Sequence, residues 1–210
     1  MKYNPQIHHR RSIRLKGYDY SQAGLYFITI CCGDRKCRFG EIVVGASLAD
    51  AQNADAQMIL NEYGTIAYNE WIKLAERFSN FELDVFQIMP NHMHGIILLN
   101  DSVEAGFTSA PNDNDKKNTQ LQMGQPLVEM EGQPQRIAPT VGGIVGAYKS
   151  LVANACLDIY KTKNETMGKL WQRNYHEHII RNEKSYQIIS DYIINNPAKW
   201  NDDKFFSTER

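Results

Sequence analysis

Met89-Pro-Asn-His-Met-His-Gly-Ile-Ile-Leu-Leu99 is the stretch on which the fold turns. Pro90-Asn91 is a turn signal, and the run from His92 to Leu99 is apolar and β-branched, which predicts a buried strand. Side chains alternate across a strand, so His92 and His94 share one face while Met93 points to the other. The apolar neighbours make one face core. Two imidazoles then stand side by side on the opposite face, about one metal ion's reach apart. A lone His-x-His remains a weak motif, because many are surface residues with no ligand.

Working outward, Phe81–Met89 alternates as a strand and forms a hairpin with 92–99 across the Pro90-Asn91 turn. Leu25–Cys32, with Tyr, Phe, Ile and Thr, is an earlier strand, and Gly40–Val44 is a candidate short one ahead of an Ala/Asp-rich loop. Glu62–Phe78 has helical spacing through Ile66, Trp71, Ile72, Leu74 and Ala75. Residues 101–138 are polar and scattered with Pro, Gly, Gln and Asn, and are expected to be a flexible surface insertion into a single domain spanning 1–210. A helix at Val141–Tyr160, a strand at Leu170–Ile180 and a helix at Glu183–Asn195 follow. The order βαββαβ predicts an α+β fold: a ferredoxin-like sandwich with a C-terminal tyrosine-bearing helix. His92 and His94 are expected on the sheet face that this last helix covers only in part.

That helix carries the second element. Tyr192 and Asn196 are four residues apart and share a face if the last turn persists. Pro197 cannot continue the helix, so the tyrosine lies near its end. A tyrosine and an amide so placed can serve one site as nucleophile and ligand. Tyr186 is the competing tyrosine, but with Ile189 and Ile193 it forms an apolar stripe and is expected to be packed.

Five ordered blocks now resemble the HUH single-tyrosine transposases, in particular the REP-associated tyrosine transposases. They are Arg11-Ser-Ile-Arg-Leu-Lys-Gly-Tyr-Asp-Tyr20 with Gly24-Leu-Tyr-Phe-Ile-Thr-Ile30; Met89-Pro-Asn-His-Met-His94; Tyr148-Lys-Ser150; Leu170-Trp-Gln-Arg-Asn-Tyr-His-Glu-His-Ile-Ile-Arg181; and Tyr192-Ile-Ile-Asn-Asn-Pro197. The resemblance covers most of the chain. It implies cleavage and rejoining of single-stranded or hairpin DNA, with Tyr192 as nucleophile and a 5′-phosphotyrosine intermediate. It implies a divalent metal, Mg²⁺ or Mn²⁺, on His92, His94 and Asn196. Arg10, Arg11, Arg14, Lys16, Lys149, Arg173 and His178 become candidate DNA contacts, in a monomer or homodimer. Two imidazoles suit a softer ion than Mg²⁺, so Mn²⁺ should serve at least as well.

Composition sets bounds. The chain has 210 residues, 42% hydrophobic, with a net charge of −1, so bulk charge does not draw it to nucleic acid. Its distribution differs: residues 1–18 hold Lys2, Arg10, Arg11, Arg14 and Lys16 and no acid, while Asp101, Glu104, Asp113, Asp115, Glu129 and Glu131 gather in the expected insertion. No apolar run is long enough for a membrane span and no secretory signal opens the chain, which makes the cytoplasm the default location. Cys31, Cys32, Cys37 and Cys156 form no zinc pattern and are expected to be reduced. Gly142-Gly143 to Lys149-Ser150 is not a phosphate loop, because Ala147 and Tyr148 separate Gly146 from the lysine. His176-Glu177-His178 is a second His-x-His, read as structural or DNA-contacting; Lys149 is expected to be exposed. The alternatives are a non-catalytic ferredoxin-like single-stranded nucleic-acid-binding module, against which no RNP1 string is present, and a metal-dependent hydrolase that uses water.

Overall fold

The computed structural model describes residues 15, 17–45, 56–100 and 140–209. Among them, β1 (Gly24–Cys31), β4 (Phe81–Met89), β5 (His92–Leu99) and β6 (His176–Ile180) form one antiparallel sheet in the order β4-β5-β1-β6. β2 (Gly40–Val44) and β3 (Ala56–Leu60) form a separate two-stranded ribbon. The helices are α1 (Glu62–Ile72), α2 (Leu74–Arg77), α3 (Val141–Thr162) and α4 (Glu183–Ile194), followed by a 3-10 turn at Pro197–Asp202. With the ribbon set aside, the order is the βαββαβ expected, its third strand inserted between first and second as in ferredoxin-like sandwiches. The expected insertion at 101–138 lies outside the described residues.

Register fixes the two faces. Ile30 stands opposite Met93 and Ile28 opposite Gly95, whereas Cys31 stands opposite His92 and Thr29 opposite His94. The first set enters the main core with Tyr26, Ile88 and Ile97, under Trp71 of α1 and Val141, Ile144, Tyr148 and Val152 of α3. The Tyr148 hydroxyl donates to the Ala67 carbonyl at 3.1 Å, fixing α3 on α1. The glycine of the decisive stretch has a packing reason: a Cβ at Gly95 would stand 2.8 Å from Cζ2 of Trp71.

Each long helix begins as its sequence dictates. Asn61, Thr140 and Asn182 sit in extended backbone, and each side chain accepts from a backbone N–H three residues on. The expected helix over 62–78 breaks at Lys73, which ends α1 and precedes the short α2. The expected strand at 170–180 pairs with β1 only from His176; before it, Trp171 makes an isolated bridge to Cys32. The ribbon partner β3 was not anticipated.

The second face differs most from expectation. α4 covers one half of it, with Ile193, Ile189 and Tyr186 packed on Ile96, Ile180, Leu25 and Phe27. The C-terminal segment covers the other half, with Trp200 and Phe205 packed on Cys31 and Met89. His92 and His94 are therefore 0% and 1% exposed, not set on a half-open face.

Met93 fills the main core and is fully buried, so Met93→Ala should cost about 2–5 kcal/mol in chemical denaturation through the cavity it leaves. Gly95→Ala should cost about 1–3 kcal/mol, because the indole of Trp71 has to move.

Candidate active site

β5 presents both imidazoles to one point. His92 Nε2 and His94 Nε2 are 3.0 Å apart, while their Nδ1 atoms point outward to Asn91 Oδ1 at 2.9 Å and Thr29 Oγ1 at 2.8 Å. The ring of Phe27 stacks on His94 with centroids 5.4 Å apart, and that of Phe205 lies 4.6 Å from His92. Burial holds both imidazoles neutral. His92 is drawn down to about 3, by desolvation first and the nearby Lys204 ammonium second, with Asn196 pulling the other way. His94 is depressed by desolvation and then by His92.

Tyr192 lies at the rim, 36% exposed. α4 places it there because the neighbouring Ile193 is buried against the sheet. Its hydroxyl is 3.1 Å from His94 Nε2 and 3.3 Å from Asp203 Oδ2. Burial chiefly, and Asp203 next, push its phenol up to about 12. α4 ends at Ile194, yet Asn196 keeps helical dihedral angles (φ −60°, ψ −39°) and is buried below the tyrosine. Its Nδ2 donates to Asp203 Oδ2 at 2.8 Å.

Asp203 is the residue that sequence reasoning missed. No motif marks it; it lies just past the 3-10 turn, in a segment whose path the sequence does not reveal. A backbone bond from the N–H of Phe205 to Oδ1, at 2.6 Å, orients its carboxylate. Ligand atoms of His92, His94 and Asp203 all lie within 4.8 Å of one another.

The donor set suits a divalent ion. Two imidazole nitrogens and a carboxylate converge, and Asn196 Oδ1 is buried with no hydrogen bond among the described residues. A buried amide oxygen without a partner is costly and is relieved by a cation. Mixed nitrogen and oxygen donors fit Mn²⁺ at least as well as Mg²⁺.

The other residues singled out from sequence are not drawn into this cluster. Arg10, Arg11, Arg14 and Lys16 lie outside the described residues. Lys149 is not the exposed charge expected: its ammonium is half-buried and donates to the carbonyls of Gln172 at 2.7 Å and Arg173 at 3.1 Å. Arg173, His176 and His178 are exposed, and the two histidines pair with Thr29 and Phe27 across β1 and so share the face of the site. Tyr186 donates to Asp84 Oδ1 at 3.1 Å, away from the imidazoles. All four cysteines are free thiols, and no helix among the described residues is long and apolar enough to cross a membrane.

An uncharacterised protein of Haemophilus influenzae (strain Rd) is 40% identical over 205 residues, covering 98% of this chain and 97% of the relative. The chain belongs to that protein's family. No family model matches it. Among solved structures, a REP-associated tyrosine transposase bound to a REP hairpin is similar over 89% of this chain and 73% of its own, at 20% identity and a TM-score of 0.48. A candidate transposase from Deinococcus radiodurans R1 is similar over 87% of this chain and 95% of its own, at 15% identity and a TM-score of 0.41.

Burial makes a direct prediction. Carbethoxylation with diethyl pyrocarbonate, followed by peptide mass spectrometry, should modify His176 and His178 well before His92 and His94. Rapid modification of His92 in the folded protein would contradict the covering role of Trp200 and Phe205.

Proposed function

We propose that this protein is a DNA strand transferase of the HUH single-tyrosine kind, which cleaves and rejoins single-stranded, hairpin-containing DNA through Tyr192. The observation that carries the reading is the Tyr192 hydroxyl at a half-open rim, 3.1 Å from the Nε2 of a buried imidazole pair. The five ordered sequence blocks support the substrate class. A tyrosine kept only for packing has no need of a hydroxyl held between an imidazole nitrogen and a carboxylate at the mouth of a convergent donor set.

Breaking a phosphodiester with a protein hydroxyl requires an aligned nucleophile, neutralised phosphate charge and a stabilised leaving oxygen. α4 supplies the alignment by locking Tyr192 between Phe27, with ring centroids 6.3 Å away, and His94. Asp203 Oδ2 is a ready acceptor for the hydroxyl proton. When bound by His92 Nε2, His94 Nε2 and the Asp203 carboxylate, with Asn196 Oδ1 alongside, a divalent ion supplies positive charge against the phosphate and the leaving oxygen. The Tyr192 oxygen bonds to phosphorus as its proton passes to Asp203, the bond from phosphorus to the 3′-oxygen breaks, and that oxygen takes up one proton in exchange for the one released and leaves as a 3′-OH. The 5′-phosphate stays esterified to Tyr192. Because the ester survives, a 3′-OH of another strand can attack it and release the tyrosine, which gives strand transfer without a nucleotide cofactor. His178, exposed on the face of the site, together with the exposed Arg173 and the basic N-terminal residues, holds the DNA backbone.

Incubation with a hairpin-bearing single-stranded oligonucleotide and Mn²⁺, followed by a denaturing gel, tests the reading. Wild type should form a covalent adduct. Tyr192→Phe should form none, while keeping DNA binding and changing stability by no more than about 1 kcal/mol. Cleavage without adduct would indicate a water-using hydrolase, and binding alone a non-catalytic module. Arg173→Ala should lower the salt slope of binding by about one unit and leave the adduct chemistry intact.

A further inference from the structure

We propose that Asn91 is a positioning residue that locks His92 in the tautomer bearing its proton on Nδ1, so that the Nε2 lone pair always faces His94. Asn91 is 1% exposed, and its Nδ2 donates to two backbone carbonyls, those of Arg35 and Phe205, each at 2.8 Å. Turned over, the amide would set its oxygen against both carbonyl oxygens, so its orientation is fixed. Oδ1 therefore faces His92 Nδ1 at 2.9 Å. An amide oxygen can only accept, so Nδ1 must carry the hydrogen.

The two carbonyls come from different parts of the chain. Arg35 has φ +62°, a left-handed conformation uncommon for a residue with a Cβ, in the stretch after β1. Phe205 belongs to the C-terminal segment that also carries Asp203. One buried amide thus joins the β1–β2 connection, the C-terminal segment and the first histidine of the pair.

The consequence lies between the rings. With Nε2 of His92 unprotonated, Nε2 of His94 3.0 Å away cannot present a second bare lone pair without repulsion. A positive centre must lie there: either the Nε2 proton of His94 or, with that nitrogen bare, a cation or the hydroxyl proton of Tyr192 3.1 Å away. His94 can accommodate both states, because its Nδ1 partner is the Thr29 hydroxyl, which donates or accepts by rotating. Asn91 allows His92 no such choice. The pair is asymmetric: one ring fixed as a ligand, the other able to change tautomer. The value of this arrangement for cation binding rests on the proposed function; the tautomer itself does not.

Long-range ¹H–¹⁵N correlation of the histidine side chains in metal-free, full-length protein reads the tautomer directly. Wild-type His92 should carry its proton on Nδ1; a proton on Nε2 would overturn the proposal without any variant. Asn91→Ala should let His92 exchange between tautomers, and folded Asn91→Ala with an unchanged His92 would overturn the proposal. Zn²⁺ titrated as a diamagnetic probe should bind Asn91→Ala about 10–100-fold more weakly than wild type. A wild type with the Nδ1–H tautomer that binds no Zn²⁺ would support the lock and count against the metal-assisted reading.

Discussion

Two imidazoles face each other across 3.0 Å in a place almost sealed from water, and the remainder of the molecule is arranged around that fact. An alternating strand puts both rings on one face. Neutral imidazoles tolerate burial where imidazolium does not, and desolvation keeps both neutral. Convergent lone pairs need a positive centre between them, which a proton or a bound cation can supply. Asn91 and Thr29 hold the far side of each ring, and Phe27, Trp200 and Phe205 pack around them.

The two coverings of that face have different chemical roles. α4 is anchored by isoleucines and brings a phenol to the rim. The segment after Pro197 is anchored by aromatic residues and brings a carboxylate. The two are joined above the imidazoles, since Asp203 accepts from both Tyr192 and Asn196. On the proposed reading, nucleophile, proton acceptor and ligand are held by one short stretch of chain, from the last turn of α4 to Phe205, while the histidines belong to the sheet. The sheet supplies the imidazoles, and the C-terminal stretch the phenol, the carboxylate and the amide.

Much of this was legible in the sequence. Alternation in 92–99 placed Met93 in the core and the histidines opposite, and the order of elements gave the sheet topology. The spacing of Tyr192 and Asn196 survived the end of α4 because Asn196 keeps helical dihedral angles. What escaped has physical causes. β3 is a short segment whose pairing with β2 is not local, so neither periodicity nor a turn dipeptide announces it. Burial of the imidazoles depends on where Trp200 and Phe205 fold back, a tertiary matter no local pattern encodes. Asp203 enters the site by the same route. Lys149 looked like a solvated charge because its acceptors are backbone carbonyls of residues 172 and 173, and carbonyls leave no mark in a sequence.

The central claim is that the imidazole pair, joined by the Asp203 carboxylate, receives a divalent cation. Anomalous diffraction at the manganese edge, from crystals of the full chain grown in Mn²⁺, tests it most directly. The account predicts a single strong peak within bonding distance of both Nε2 atoms, with Asp203 or Asn196 among the remaining ligands. A map with no peak there, while His92 and His94 keep their positions and manganese is found elsewhere on the protein, would contradict it.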